Sequence, residues 1–135
     1  MTRTTRLLSL LFIALGSCVD PNTATYNNCS YFKDRSADSA LRVVTFGGTI
    51  GLNYSPSCME IAAGQSVSFQ GVFGTHPLSP GSGPTATKDG SPNNPITTPA
   101  ADATEISFTF PTPGQYPYYC AQHVGGGMVG VIKVR

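Results

Sequence analysis

Ile106-Ser-Phe-Thr-Phe110-Pro-Thr-Pro-Gly114-Gln-Tyr-Pro-Tyr-Tyr-Cys120-Ala-Gln-His123-Val-Gly-Gly-Gly-Met128-Val-Gly-Val-Ile-Lys-Val134 is the stretch on which the reading of this chain turns. Ile106, Phe108 and Phe110 alternate with Ser107 and Thr109, the two-residue period of a strand with one buried face. Pro111 to Gly114 turns the chain, Gln115–Cys120 reads as the next strand and Val129–Val134 as the last. The loop between those two carries Cys120, His123 and Met128 within nine residues.

A thiolate, an imidazole and a thioether on one tight loop converge on a single ion if a second imidazole joins them from elsewhere. His76 is the only other histidine in the chain. Two histidines and a cysteine with a weak axial methionine form the donor set of an electron-transfer copper site. Gly125-Gly126-Gly127 supply the unusual backbone angles that a sharp return needs. His76 must come from a separate segment, so a rigid sheet scaffold would hold the site from two sides. Zinc accepts two histidines and a cysteine, but a thioether suits copper better. A Cys120–His123 nucleophile pair lacks an orienting third group. Covalent haem would need Cys-x-x-Cys-His, which is absent. Gly125-x-Gly127-x-x-Gly130 matches a dinucleotide fingerprint in letters only, because a strand follows it and not a helix.

Working back toward the N-terminus, Leu41–Phe46 is a β-branched and apolar run ended by Gly47-Gly48, and Thr49–Tyr54 reads as a further strand stopped by Ser55-Pro56. Met59 and Ile61, then Val67 and Phe69, alternate with polar neighbours. Residues 79–101 hold Pro80, Pro84, Pro92, Pro95 and Pro99, so they form an irregular excursion and not a central strand. Charged residues make up only 11% of the chain, which has 15 glycines and 11 prolines. The expected fold is all-β: a two-sheet Greek-key sandwich of about seven to eight short strands.

The first residues read as an address. Arg3 and Arg6 precede the apolar run Leu7–Leu15, too short to span a bilayer and suited to a secretory signal over residues 1–17. Leu15-Gly16-Ser17-Cys18 resembles the lipobox of bacterial lipoproteins, which makes Cys18 a candidate for lipidation. Residues 18–30 are polar without apolar period and read as a flexible tether, leaving one domain over 31–135. Loss of Arg3 and Arg6 takes the formal charge from +1 to −1. No basic stripe is present, so nucleic acid is excluded as a partner. With Cys18 given to lipid and Cys120 to metal, Cys29 and Cys58 remain as a disulfide pair in an oxidising compartment. Such a bridge contributes on the order of 3 kcal/mol.

Phe110-Pro-Thr-Pro-Gly-Gln-Tyr-Pro-Tyr-Tyr-Cys120-x-x-His123-x-x-x-x-Met128-Val-Gly-Val131 resembles the plastocyanin/azurin family of cupredoxins, with the Cys-x2-His-x4-Met spacing of plastocyanin and pseudoazurin. The resemblance covers about residues 41–135. It implies His76, Cys120 and His123 as equatorial ligands of one type 1 copper ion, with Met128 axial. It also implies a monomeric, non-enzymatic, periplasmic carrier that passes single electrons to transient redox proteins docking near His123. The membrane would be reached only through a lipid anchor at Cys18. The alternative is copper delivery by the same ligands.

Two positions depart from the family pattern. Pro77 stands where an Asn usually donates its N–H to the cysteine sulfur, and Gln122 offers an N–H where plastocyanins commonly carry Pro. The sulfur's hydrogen bond is therefore expected to come from Gln122. An apolar rim of Val124, Gly125–Gly127 and Leu78 is expected around His123.

Overall fold

The computed structural model describes residues 24–135. Its nine strands are β1 (Lys33–Asp34), β2 (Val43–Phe46), β3 (Tyr54–Ser55), β4 (Cys58–Ile61), β5 (Gln65–Gln70), β6 (Leu78–Pro80), β7 (Glu105–Phe110), β8 (Gly114–Cys120) and β9 (Val129–Val134). They form two mixed sheets, ordered β1-β4-β9-β8-β6 and β3-β2-β5-β7. The non-sequential neighbours are the Greek-key crossovers of a sandwich. Among the described residues the only helical segments are single 3-10 turns.

The two-residue period builds the core. Val67 and Phe69 on β5 register with Phe108 and Ile106 on β7, while Ser66 and Thr109 on the outer face share a 2.7 Å hydroxyl contact. Phe69 meets Tyr118 of the opposite sheet edge to face at 5.1 Å, and Tyr118 meets Tyr54 at 4.9 Å.

β8 departs from that period, being buried at all seven residues. Its inner face lies in the core, and segments without regular structure cover its outer face. The excursion after β6 is one of them: Gly81 and Ser91 donate their N–H groups to Pro117 O (2.8 Å) and Gln115 O (2.7 Å), and Asn94 Nδ2 donates to Pro117 O at 3.0 Å. A Cβ at Gly90 would overlap the Pro117 ring, so only glycine lets the chain lie this close. The excursion is thus a lid over the ligand-bearing strand.

The other cover comes from before the first strand. Residues 24–30 were expected to be tether, yet Cys29 is buried and bonded to Cys58, and Gln115 Nε2 donates to Ala24 O at 2.6 Å. The tether reading can therefore apply only before residue 24, and together with the signal and Cys18 it lies outside the described residues.

The stretch expected as a strand over Thr49–Tyr54 is instead a 3-10 turn (Gly48–Ile50) and a loop leading into the two-residue β3. Gly47, Gly48 and Gly51 take φ of 73°, 55° and 70°, angles that interrupt a ladder.

Candidate metal centre

Chain direction brings the ligands to one end of the sandwich. β8 runs from Gly114, paired with Val134, to Cys120, paired with Leu78 of β6. Just before β6, a turn over 72–76 places His76, whose N–H donates to Val72 O at 3.1 Å. Pro77 follows, and its carbonyl accepts the Ala121 N–H at 2.9 Å. The two ligand segments are therefore tied by main chain directly on either side of the site, at a position where Pro has an acceptor to give and no donor.

The loop after Cys120 is closed by its own backbone. Cys120 N–H donates to Met128 O (3.0 Å), while His123 O accepts from both Gly126 N–H (2.9 Å) and Met128 N–H (3.2 Å). Of the three glycines only Gly127, at φ 86°, uses the left-handed region. Gly125 and Gly126 instead leave the surface beside His123 low, since a Cβ at Gly125 would touch nothing and one at Gly126 only Leu52.

His76 is held by Phe46 and Gly47. Its ring meets Phe46 edge to face at 6.1 Å. A Cβ on Gly47 would come within 3.2 Å of His76 Cδ2 and 3.3 Å of Nε2, so that edge of the imidazole lies on bare backbone. Nδ1 is left to face the other two ligands. Burial first, and the neighbouring His123 second, hold His76 below the usual histidine pKa, which favours the neutral ring that a metal binds.

The three donor atoms form a small triangle. His76 Nδ1 to His123 Nδ1 is 3.1 Å, Cys120 Sγ to His123 Nδ1 is 3.4 Å, and Cys120 Sγ to His76 Nδ1 is 4.0 Å. These sides put the point equidistant from all three atoms at about 2.1 Å from each, the length of a metal–imidazole bond and slightly short of the ~2.3 Å of a metal–thiolate bond. His76, Cys120 and His123 are the one such cluster among the described residues. Cys120 is fully buried and the histidines half-buried, which lets an imidazole edge meet solvent while the sulfur stays dry.

Met128 is fully buried in the same apolar cluster as Cys120. Gln122 is exposed on the loop. Leu78, expected in a surface rim, is instead fully buried, because β6 pairs with β8 and turns that side chain into the core. Leu52 and Val72, 46% and 53% exposed, are the large apolar side chains that the neighbouring loops leave at the surface. Gly47 and Phe46 were not singled out from the sequence; a glycine pair after a strand marks a turn, not a seat for an imidazole.

A β-sandwich holding two imidazoles and a thiolate at bonding distance from one point is the make-up of a type 1 copper protein. Residues 42–135 match the family model described as copper binding proteins, plastocyanin/azurin family. The chain is 34% identical over 118 residues to the chloroplastic plastocyanin of Physcomitrium patens, a match spanning 73% of this chain and 60% of that one. It is 30% identical over 103 residues to the plastocyanin of Capsella bursa-pastoris, covering 70% of this chain and all of the relative. The oxidised plastocyanin of Dryopteris crassirhizoma superposes with a TM-score of 0.51 at 20% identity, over 69% of this chain and 99% of that one, which shows the shared fold. The chain belongs to the plastocyanin/azurin family of copper-binding proteins. Its cofactor is copper, and His76, Cys120 and His123 fit a type 1 site.

Proposed function

We propose that this protein is an exported carrier of single electrons, in which His76, Cys120, His123 and Met128 would hold one copper ion. The donor triangle carries the reading: three ligands from two segments already stand at bonding distance from one point. Copper, when bound, supplies the one-electron Cu(I)/Cu(II) couple. The protein's part is to keep the ligands still. The Ala121–Pro77 and Cys120–Met128 backbone bonds fix the ends of both ligand segments, and Gly47 and Phe46 fix the ring of His76. Among the described residues the sulfur's polar neighbours are His123 Nδ1 at 3.4 Å and His76 Nδ1 at 4.0 Å, and Pro77 cannot donate to it. We assign a further hydrogen bond in the copper-loaded protein to the amide of Gln122, where it would tune the potential.

The segments that frame His123 carry no charge, since residues 46–57, 71–87 and 121–132 contain no Asp, Glu, Lys or Arg. The acidic Asp102 and Glu105 stand further out at this end of the sandwich, on the segment that packs on Gly74 and pairs with Gln70. Leu52, Val72 and Val124 make the apolar rim around His123. Small, transient redox interfaces suit such a face. The partner is a redox protein docking near His123, and the protein acts as a monomer without enzymatic activity. The disulfide and the leader-like start support an extracytoplasmic, periplasmic location. Residue 24 lies beside Gln115, five residues up β8 from Cys120, or about 17 Å of strand.

Copper delivery by the same ligands is the rival, and the full burial of Cys120 and Met128 speaks against easy release. Cyclic voltammetry of the copper-loaded protein, with a parallel measurement of copper loss to a chelator, separates the two. Reversible one-electron cycling with copper retained supports the carrier, whereas release on each reduction would establish delivery.

A further inference from the structure

Asn27 stands outside the family match, which begins at residue 42, yet its side chain reaches the root of the copper loop. Its Nδ2 donates to Tyr118 O at 3.1 Å and to Gly130 O at 2.9 Å. Tyr118 and Gly130 face each other across β8 and β9, two residues before Cys120 and two after Met128. One carboxamide thus bridges both strands at the base of the loop that carries three ligands. Two features make room for it. A Cβ at Gly130 would overlap the Tyr118 ring, so the pair turns its side-chain bulk to the core and leaves backbone open outside. Asn27 and Asn28 adopt φ of 50° and 59°, the left-handed region that Asn tolerates better than most residues. Two residues on, the Cys29–Cys58 bridge fastens the segment to β4, next to β9.

We infer that Asn27 is a positioning residue for the copper centre, and that the segment before the family domain is a brace holding the two ends of the ligand loop at fixed separation. The brace acts through Tyr118 and Gly130 on Cys120 and Met128 and touches no ligand itself. Electron transfer gains from ligands that do not move when the charge on the metal changes, so a brace at the loop's root serves that task. The inference rests on the copper reading for its purpose, but not for its geometry.

The test uses Asn27→Gly, which removes the carboxamide and keeps the left-handed backbone relaxed, with Asn28→Gly as the backbone control. The first readout is amide hydrogen exchange in the metal-free protein. In Asn27→Gly the amides of Cys120 and Met128 should exchange about tenfold faster, the effect of losing two part-buried hydrogen bonds. Those of Gln115 and Lys133, at the other end of the same hairpin, should stay within about twofold. The second readout is copper loss to a chelator, which should also quicken about tenfold while the visible band persists. Uniform acceleration along the hairpin, no acceleration, or an equal effect of Asn28→Gly would each overturn the brace. A wild-type protein that never forms the copper band would overturn the copper reading instead and leave the exchange result standing.

Discussion

The two ends of the sandwich are built on opposite principles. The loops that frame the copper ligands are glycine-rich and uncharged, and contacts to ring edges and backbone hold the ligands. At the far end charges gather. Arg135 pairs with Asp34 at 2.7 Å and Glu60 at 2.9 Å, and Lys133 pairs with Glu60 at 3.0 Å. Arg42 donates to Ser66 O there, and Asp38 caps the 3-10 turn before it. The far end fastens β1 to the C-terminal strand through side chains that water can reach. The loops framing the copper ligands exclude charge, keeping the thiolate's surroundings dry, and the acidic Asp102 and Glu105 stand outside them. Ion pairs serve as fasteners where solvent is harmless, and shape serves where it is not.

The contrast can be broken from either side. Replacing Cys29 and Cys58 with serine should cost about 3 kcal/mol in chemical denaturation, by freeing a loop of roughly thirty residues in the unfolded chain. A change under 1 kcal/mol would mean that the segment before β1 is held by its hydrogen bonds alone. Gly47→Ala should cost about 1–2 kcal/mol, since φ is 73° and the new Cβ would press on the His76 ring. It should also perturb the copper spectrum, which an ordinary loop glycine would not. Glu60→Gln removes the shared partner of Lys133 and Arg135; as Glu60 is only 14% exposed, a loss of about 1 kcal/mol is expected, shrinking in high salt, with the copper spectrum unchanged.

Two smaller effects sharpen the contrast. The rate of electron exchange with a highly charged small redox reagent should change less than about twofold between 10 and 200 mM salt, because the loops framing His123 are uncharged. Strong salt dependence would place the exit elsewhere on the surface. Hydrogen bonds from Ser36, with the lesser help of Arg135, hold the Asp34 carboxyl below its usual range. A depressed carboxyl stabilises the fold above its unfolded pKa, near 4, and that contribution is lost as pH falls through the folded value. Asp34→Asn should therefore lower Tm slightly at pH 6, and the gap should begin to close as pH falls below about 4 and vanish below the folded pKa. A constant gap down to pH 2 would assign the effect to packing.

What was legible in the sequence follows from the same physics. β5 and β7 have one dry and one wet face, so their residues alternate and their strands could be read. The ligand loop was legible because few side chains bind metal and their spacing is short. The covering of β8 was not. Asn27, Ser91 and Asn94 reach it through hydrogen bonds to backbone carbonyls, and such contacts leave no hydrophobic period in either partner. Residues 18–30 therefore read as plain tether, although their described part lies on the sheet. Thr49–Tyr54 misled for a different reason: its β-branched residues suit a strand, but glycines at positive φ on both sides of Thr49 and Ile50 impose a turn.

The central claim is that His76, Cys120 and His123 hold copper through the thiolate in a trigonal site. It is tested most directly by a visible absorption spectrum of the purified protein titrated with Cu(II). An intense blue band from thiolate-to-copper charge transfer, saturating at one equivalent and absent in Cys120→Ser, is the predicted result. A colourless or weakly coloured complex, or a band that survives Cys120→Ser, would contradict it.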